Sequence, residues 1–128
     1  MTPEHALGRQ GEDLAHRYLQ GKGMRVIDRN WRSRRGLLEV DIIALDAERT
    51  VFVEVKTRRN VKFAAPERNI DLVKTKALVW AAREYCRKYG IDTQFARIDY
   101  VQVVLEPKLK IEHEKDALSV RESTVIHA

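Results

Sequence analysis

The sequence predicts an α/β protein, a central mixed β-sheet flanked by helices in the order αβββαβ. Three observations lead there. Two segments, one at the N-terminus and one over 71–89, repeat apolar residues at helical spacing. Two adjacent runs, LLEVDIIALD (37–46) and VFVEVKTRR (51–59), are rich in β-branched residues and flank a short polar turn. A further strand-like run, ARIDYVQVVL (96–105), follows the second helical segment. Strands on both sides of a helix suggest a mixed sheet with helices packed on it.

In chain order, residues 4–21 form the first helix. Leu7, Leu14, Ala15, Tyr18 and Leu19 recur at helical spacing, and Gly21 and Gly23 supply the stop. Residues 24–27 make a short strand, and RNWRSRRG (29–36) a basic loop. Strands 38–45 and 50–57 are split by the polar turn Asp46-Ala47-Glu48-Arg49. Residues 58–69, with Pro66, are a second basic and irregular stretch. The second helix runs 71–89, capped by Asp71, with Val73, Ala77, Trp80, Ala81 and Tyr85 as its buried stripe and Gly90 as its end. Strand 96–105 stops at Pro107, and a shorter strand follows at 110–113. The expected organisation is one domain over 1–118 and a loose tail over 119–128.

The 128 residues suffice for one hydrophobic core, and 34% charged with 44% apolar residues is the balance of a water-soluble globular chain. The apolar runs are too short to cross a bilayer, so no membrane partner is expected. The start, MTPEHALGRQGED, lacks the pattern of a secretory signal, and a cytoplasmic location is the simplest expectation. Cys86 is the sole cysteine, which excludes an internal disulfide and a cysteine-based zinc site. A net charge of +5 favours polyanionic partners.

Glu54 and Lys56 interrupt an otherwise apolar strand and share a face, because strand side chains alternate. If the two clear strands form a hairpin centred between Ala47 and Glu48, Asp41 falls opposite Glu54, and Glu39 opposite Lys56. All four then project to one side, together with Ile43 and Phe52 nearer the turn. A one-residue slip would undo this placement. Opposed carboxylates repel unless a cation lies between them or one is protonated. Oxygen ligands without cysteine call for a hard divalent ion, Mg²⁺ or Mn²⁺. Lys56 can then stabilise charge on a phosphate. The plainer alternative stays open: a Glu39–Lys56 surface pair, with Asp41 and Glu54 at a wet sheet edge.

Arg32, Arg34 and Arg35 precede the hairpin, and Arg58, Arg59 and Lys62 follow it. Both clusters lie at its open end, beside the carboxylates. They read either as solvated loops or as ligands for backbone phosphates. Trp31 is a packing residue or a base-stacking one. Lys74 and Lys76 open the second helix and are surface residues or phosphate contacts. His5, His16, His113 and His127 show no ligand spacing and read as surface residues.

Gly11-Glu12 on the first helix, LLEVDIIALD and VFVEVKTR together closely resemble the YraN-like family of uncharacterised bacterial proteins, over about residues 8–118 and including RIDYVQV (97–103). That family is related to the archaeal Holliday-junction resolvases and belongs to the restriction-endonuclease-like superfamily. The resemblance implies that superfamily's fold, with Asp41 and Glu54 as metal ligands, Lys56 as the catalytic lysine and Glu12 as a further acid at the metal. Glu12 otherwise reads as a first-turn acid favoured by the helix dipole. Glu39 supports the site. One departure stands out: Leu37 and Leu38 separate Gly36 from Glu39, where the family's usual form has glycine directly before the first acid.

These expectations converge on a Mg²⁺- or Mn²⁺-dependent endonuclease acting on DNA, including branched DNA such as Holliday junctions, and by analogy a homodimer. The alternatives are a non-cleaving nucleic-acid-binding module and a protein that docks an acidic partner.

Overall fold

A computed structural model describes residues 2–34, 36, 38–60 and 72–121. Helix α1 (Pro3–Gly21) leads into strands β1 (Arg25–Arg32), β2 (Glu39–Asp46) and β3 (Arg49–Asn60); helix α2 (Leu72–Tyr89) precedes β4 (Ala96–Glu106) and β5 (Lys110–Leu118). The strands lie in the sheet in chain order. All neighbours are antiparallel except β3 and β4, whose parallel pairing requires a crossover, and α2 lies on that crossover. This is the αβββαβ order expected from the sequence, a mixed sheet flanked by helices, with β5 at the edge.

The Thr2 hydroxyl accepts the His5 amide at 3.1 Å and caps α1. Ala15 and Leu19 of α1 are buried against Ile42, Ala44, Val51, Val53, Val101 and Val103, which form one face of the sheet. The other face, with Ile43, Phe52 and Ile98, packs on Leu78, Ala81, Ala82, Tyr85 and Cys86 of α2. Of the expected stripe on α2, Ala81 and Tyr85 are buried as expected, but its other bulky members are turned away from the sheet. Val73 and Trp80 are 78% and 56% exposed. The two alanines let the helix sit close to the sheet, and they turn the bulky tryptophan outward. Trp31 packs edge-on against Tyr85, its ring centroid 5.3 Å away.

Polar strand ends extend further than their residue types suggest, because ladder hydrogen bonds hold them. Arg29–Arg32, expected in a loop, belong to β1, and Arg58 and Arg59 to β3. The last strand runs to Leu118. Val120, expected in the tail, is buried, and the Arg83 guanidinium donates to the Val120 and Arg121 carbonyls at 3.0 and 3.1 Å. Arg35, Lys62, the stretch 61–71 with its expected cap Asp71, and His127 lie outside the described residues.

His113 is not a surface residue. Its side chain is 5% exposed, with Nε2 2.7 Å from the fully buried Asp99 and Nδ1 3.1 Å from the Tyr18 hydroxyl. Asp99 also accepts from Arg97 and from the Asp116 amide, and Arg97 pairs with Asp46 at 2.9 Å. This network joins α1, the β2–β3 turn and the β4–β5 pair. Burial pushes the Asp99 carboxyl up, but the His113 and Arg97 hydrogen bonds outweigh it and hold it below the ordinary range.

Candidate active site

The β2–β3 ladder has the expected register from Asp46–Arg49 to Ile42–Val53, and there it stops. Beyond that point β2 stays with β1 through Arg32–Glu39, while β3 stays with β4 through Asn60–Glu106. The sheet forks. Asp41 lies at the crotch, and its Oδ2 accepts the Val55 amide at 2.8 Å, taking the role a β2 carbonyl would have in a continued ladder.

The β1–β2 ribbon also rotates at this level. Val40 packs on the α2 side and Ile42 on the α1 side, although strand residues two apart normally share a face. Arg29 likewise reaches α1, while Trp31 packs toward α2. Between them Asn30 adopts φ 52°, a left-handed conformation that asparagine tolerates better than most residues. Its side-chain amide donates to both Glu12 and Glu39 at 3.0 Å.

The four hairpin side chains therefore do not share one face. Glu54 and Lys56 follow Phe52 on the α2 side. Glu39 bonds Asn30 and, at 3.3 Å, Arg32; it makes no ion pair with Lys56. The cause is the fork, which removes the direct 39–56 and 41–54 opposition. Asp41 still feels the other acids. Burial first, then Glu54, with smaller pushes from Glu12 and Glu39, raise its carboxyl to about 7 despite the Val55 hydrogen bond. Burial, then the Lys74 and Arg58 charges, hold the Lys56 ammonium below the ordinary lysine value.

A model of the uncharacterised protein family UPF0102 matches residues 11–103. The chain belongs to that family. UPF0102 proteins from Solibacter usitatus (strain Ellin6076) and Rhodococcus jostii (strain RHA1) are 46% and 44% identical to it. The first alignment covers 82% of this chain and 80% of the relative, the second 91% and 99%. A Bacteroides thetaiotaomicron UPF0102 protein is 41% identical over 91% of this chain and 95% of its own length. Among solved structures, Pyrococcus furiosus SfsA in complex with Ca²⁺ matches at a TM-score of 0.41 and 15% identity, over 88% of this chain and 63% of that one.

Three further residues meet at this candidate site; sequence reasoning gave Lys74 only as a surface residue or phosphate contact and assigned no role to Asn30 or Arg29. Lys74 of α2 pairs with Glu54 at 2.6 Å. Asn30 links Glu12 to Glu39. Arg29 pairs with Asp13 at 2.8 Å and Glu12 at 3.4 Å. Beyond Lys74, Asn30 carried a signal in its tolerance of left-handed backbone, and Arg29 carried none.

Gly11 has a structural reason. A Cβ there would collide with the Thr57 hydroxyl, so glycine lets α1 lie against β3 and brings Glu12 to the fork. Of the basic residues, Arg32 is engaged with Glu39, Arg34 bonds Glu84 through its backbone amide, and Arg59 is exposed. The Arg58 Nε is buried and makes no hydrogen bond.

Among the described residues no three histidine, cysteine, aspartate or glutamate side chains are gathered as a metal-binding group. Glu12 lies in the middle of α1, so it is not a first-turn acid, and it is held by Arg29 and Asn30 instead of joining Asp41 and Glu54. The remaining pair of mutually repelling carboxylates fits a hard divalent ion, because Mg²⁺ commonly takes only one or two protein carboxylates. Among the described residues no helix is long and apolar enough to cross a membrane.

Proposed function

We propose that this UPF0102 protein is a metal-dependent endonuclease that hydrolyses phosphodiester bonds in DNA, with branched or structured DNA, such as a four-way junction, as its substrate class. The observation that supports it most is the fork itself. A buried Asp41 is raised by Glu54 beside it, and Lys56 stands two positions further along the same strand.

Asp41 and Glu54 are the residues that would hold Mg²⁺ or Mn²⁺, with Glu12 as a third acid once released from Arg29 and Asn30. The ion supplies an activated water and offsets phosphate charge. Lys56, held below the ordinary lysine value, is suited to accept a proton at Nζ or to bind a phosphate oxygen. Arg32 at the end of β1 and Arg58 and Arg59 near the end of β3 are the cations suited to bind backbone phosphates on either side of the fork. A four-way junction presents paired cut sites, for which a symmetric homodimer is the natural arrangement.

A second reading, a nucleic-acid-binding module that does not cut, has one observation in its favour. Lys74, Arg29 and Asn30 already satisfy Glu54 and Glu12 without an ion. Asp41→Asn separates the two. Under the nuclease reading it abolishes Mg²⁺-dependent cutting of a labelled four-way junction and keeps salt-dependent binding. Wild-type protein that binds but never cuts, and matches the variant in both assays, favours the module.

A further inference from the structure

We infer that the Lys74 ammonium stands in the cation position of the fork, so that Lys74 and a divalent ion exclude one another there. The inference rests on the proposed metal site and names how that site is gated. Lys74 belongs to α2, on the crossover that follows the hairpin, and its Nζ lies 2.6 Å from Glu54 Oε1. The Glu54 side chain is 14% exposed, whereas that of Lys74 is 50% exposed, so the lysine reaches inward from the rim.

The same amino group feels the attraction of Asp41 and is hydrogen-bonded to the Lys56 side chain. One ammonium thus serves Glu54 and Asp41 together, which is the electrostatic task of a bound cation. Two lysine amino groups in contact would repel if both were charged, and the two carboxylates make that arrangement tolerable. The Lys74 stem is long and flexible, so rotation about its side-chain bonds is enough to vacate the position. A divalent ion arriving at Asp41 and Glu54 must displace it, and the displaced ammonium remains at the rim as a mobile cation.

The test is a Mn²⁺ titration of the full chain without nucleic acid, followed by calorimetry and by the electron paramagnetic resonance of free Mn²⁺. Wild type is compared with Lys74→Met, Lys74→Gln, Lys74→Arg and Glu54→Gln. Circular dichroism checks each fold, and the glutamine variant stands in if the methionine variant misfolds. Loss of one charged hydrogen bond from the competing state predicts Mn²⁺ binding about tenfold tighter in Lys74→Met or Lys74→Gln. Lys74→Arg stays near wild type, and Glu54→Gln loses binding. Without the ion the neutral variants melt below wild type, and Mn²⁺ raises their melting temperature more. Binding that is equal or weaker in the neutral variants overturns the inference and leaves the nuclease reading standing. No binding by any of the proteins overturns both this inference and the metal site beneath it.

Discussion

At the scale of single residues, Asp41 has the sharpest consequence. Its carboxyl lies at about 7 in the folded chain against an ordinary value of 3.8, with burial as the first cause and Glu54 as the second. The native state therefore binds that proton more tightly than the unfolded chain. Its stabilising contribution is complete below about 3.8 and is lost as pH rises through about 7. In chelator, wild type should lose stability relative to Asp41→Asn across that window, measured by urea unfolding at pH 4, 6 and 8. Saturating Mg²⁺ should shrink the gap at pH 8. A pH-independent difference would mean that burial and Glu54 do not hold Asp41 protonated. Asp99 is the opposite case, a buried acid that is fully paired. Asp99→Ala takes the acceptor from Arg97 Nε and the Asp116 amide, leaving Arg97 only Asp46 and His113 only Tyr18, and should cost about 3–5 kcal/mol in urea unfolding.

At the scale of elements, the fork depends on two backbone devices. Asn30 turns the β1–β2 ribbon over with φ 52°, and Gly11 lets α1 approach β3. Asn30→Val places a β-branched residue in the left-handed region and removes the bridge between Glu12 and Glu39, which keep Arg29 and Arg32. The backbone term alone is about 1–2 kcal/mol. Asn30→Gly keeps the backbone and loses only the bridge, so it should unfold at higher urea than Asn30→Val. Gly11→Ala forces α1 off Thr57, which should cost about 1–3 kcal/mol and carry Glu12 away from the fork. The hairpin register was legible from Ile42–Val53 to Asp46–Arg49, because apolar alternation and a short polar turn pin it there. The fork was not legible. Alternation presumes a continuous ladder, and nothing local to 39–41 shows that a carboxylate replaces a carbonyl as the partner of Val55.

At the scale of the whole molecule, the element order, the mixed sheet and the family could be read from the chain. The assembly of the site could be read only in part. The spacing on adjacent strands singles out Asp41, Glu54 and Lys56, and they lie at the fork. Lys74 arrives across the crossover, and Arg29 arrives from an edge strand mistaken for a loop; such meetings depend on packing, which residue order alone does not show. The stripe of α2 was legible only in part for a related reason, since Ala81 and Ala82 set the closeness of the helix to the sheet while Trp80 dominated the hydrophobic pattern.

The central claim is that the fork cuts phosphodiesters, and a cleavage assay tests it most directly. Labelled linear duplex, single strand, flap, four-way junction and structured RNA are incubated with purified protein in Mg²⁺, in Mn²⁺ and in chelator, beside Glu54→Gln and Lys56→Ala. The account predicts metal-dependent cutting of DNA, strongest on the branched forms. Cutting is lost in Glu54→Gln and reduced about 100-fold or more in Lys56→Ala, with substrate binding little changed. No cutting on any substrate, or cutting that survives in chelator or in both variants, would contradict it.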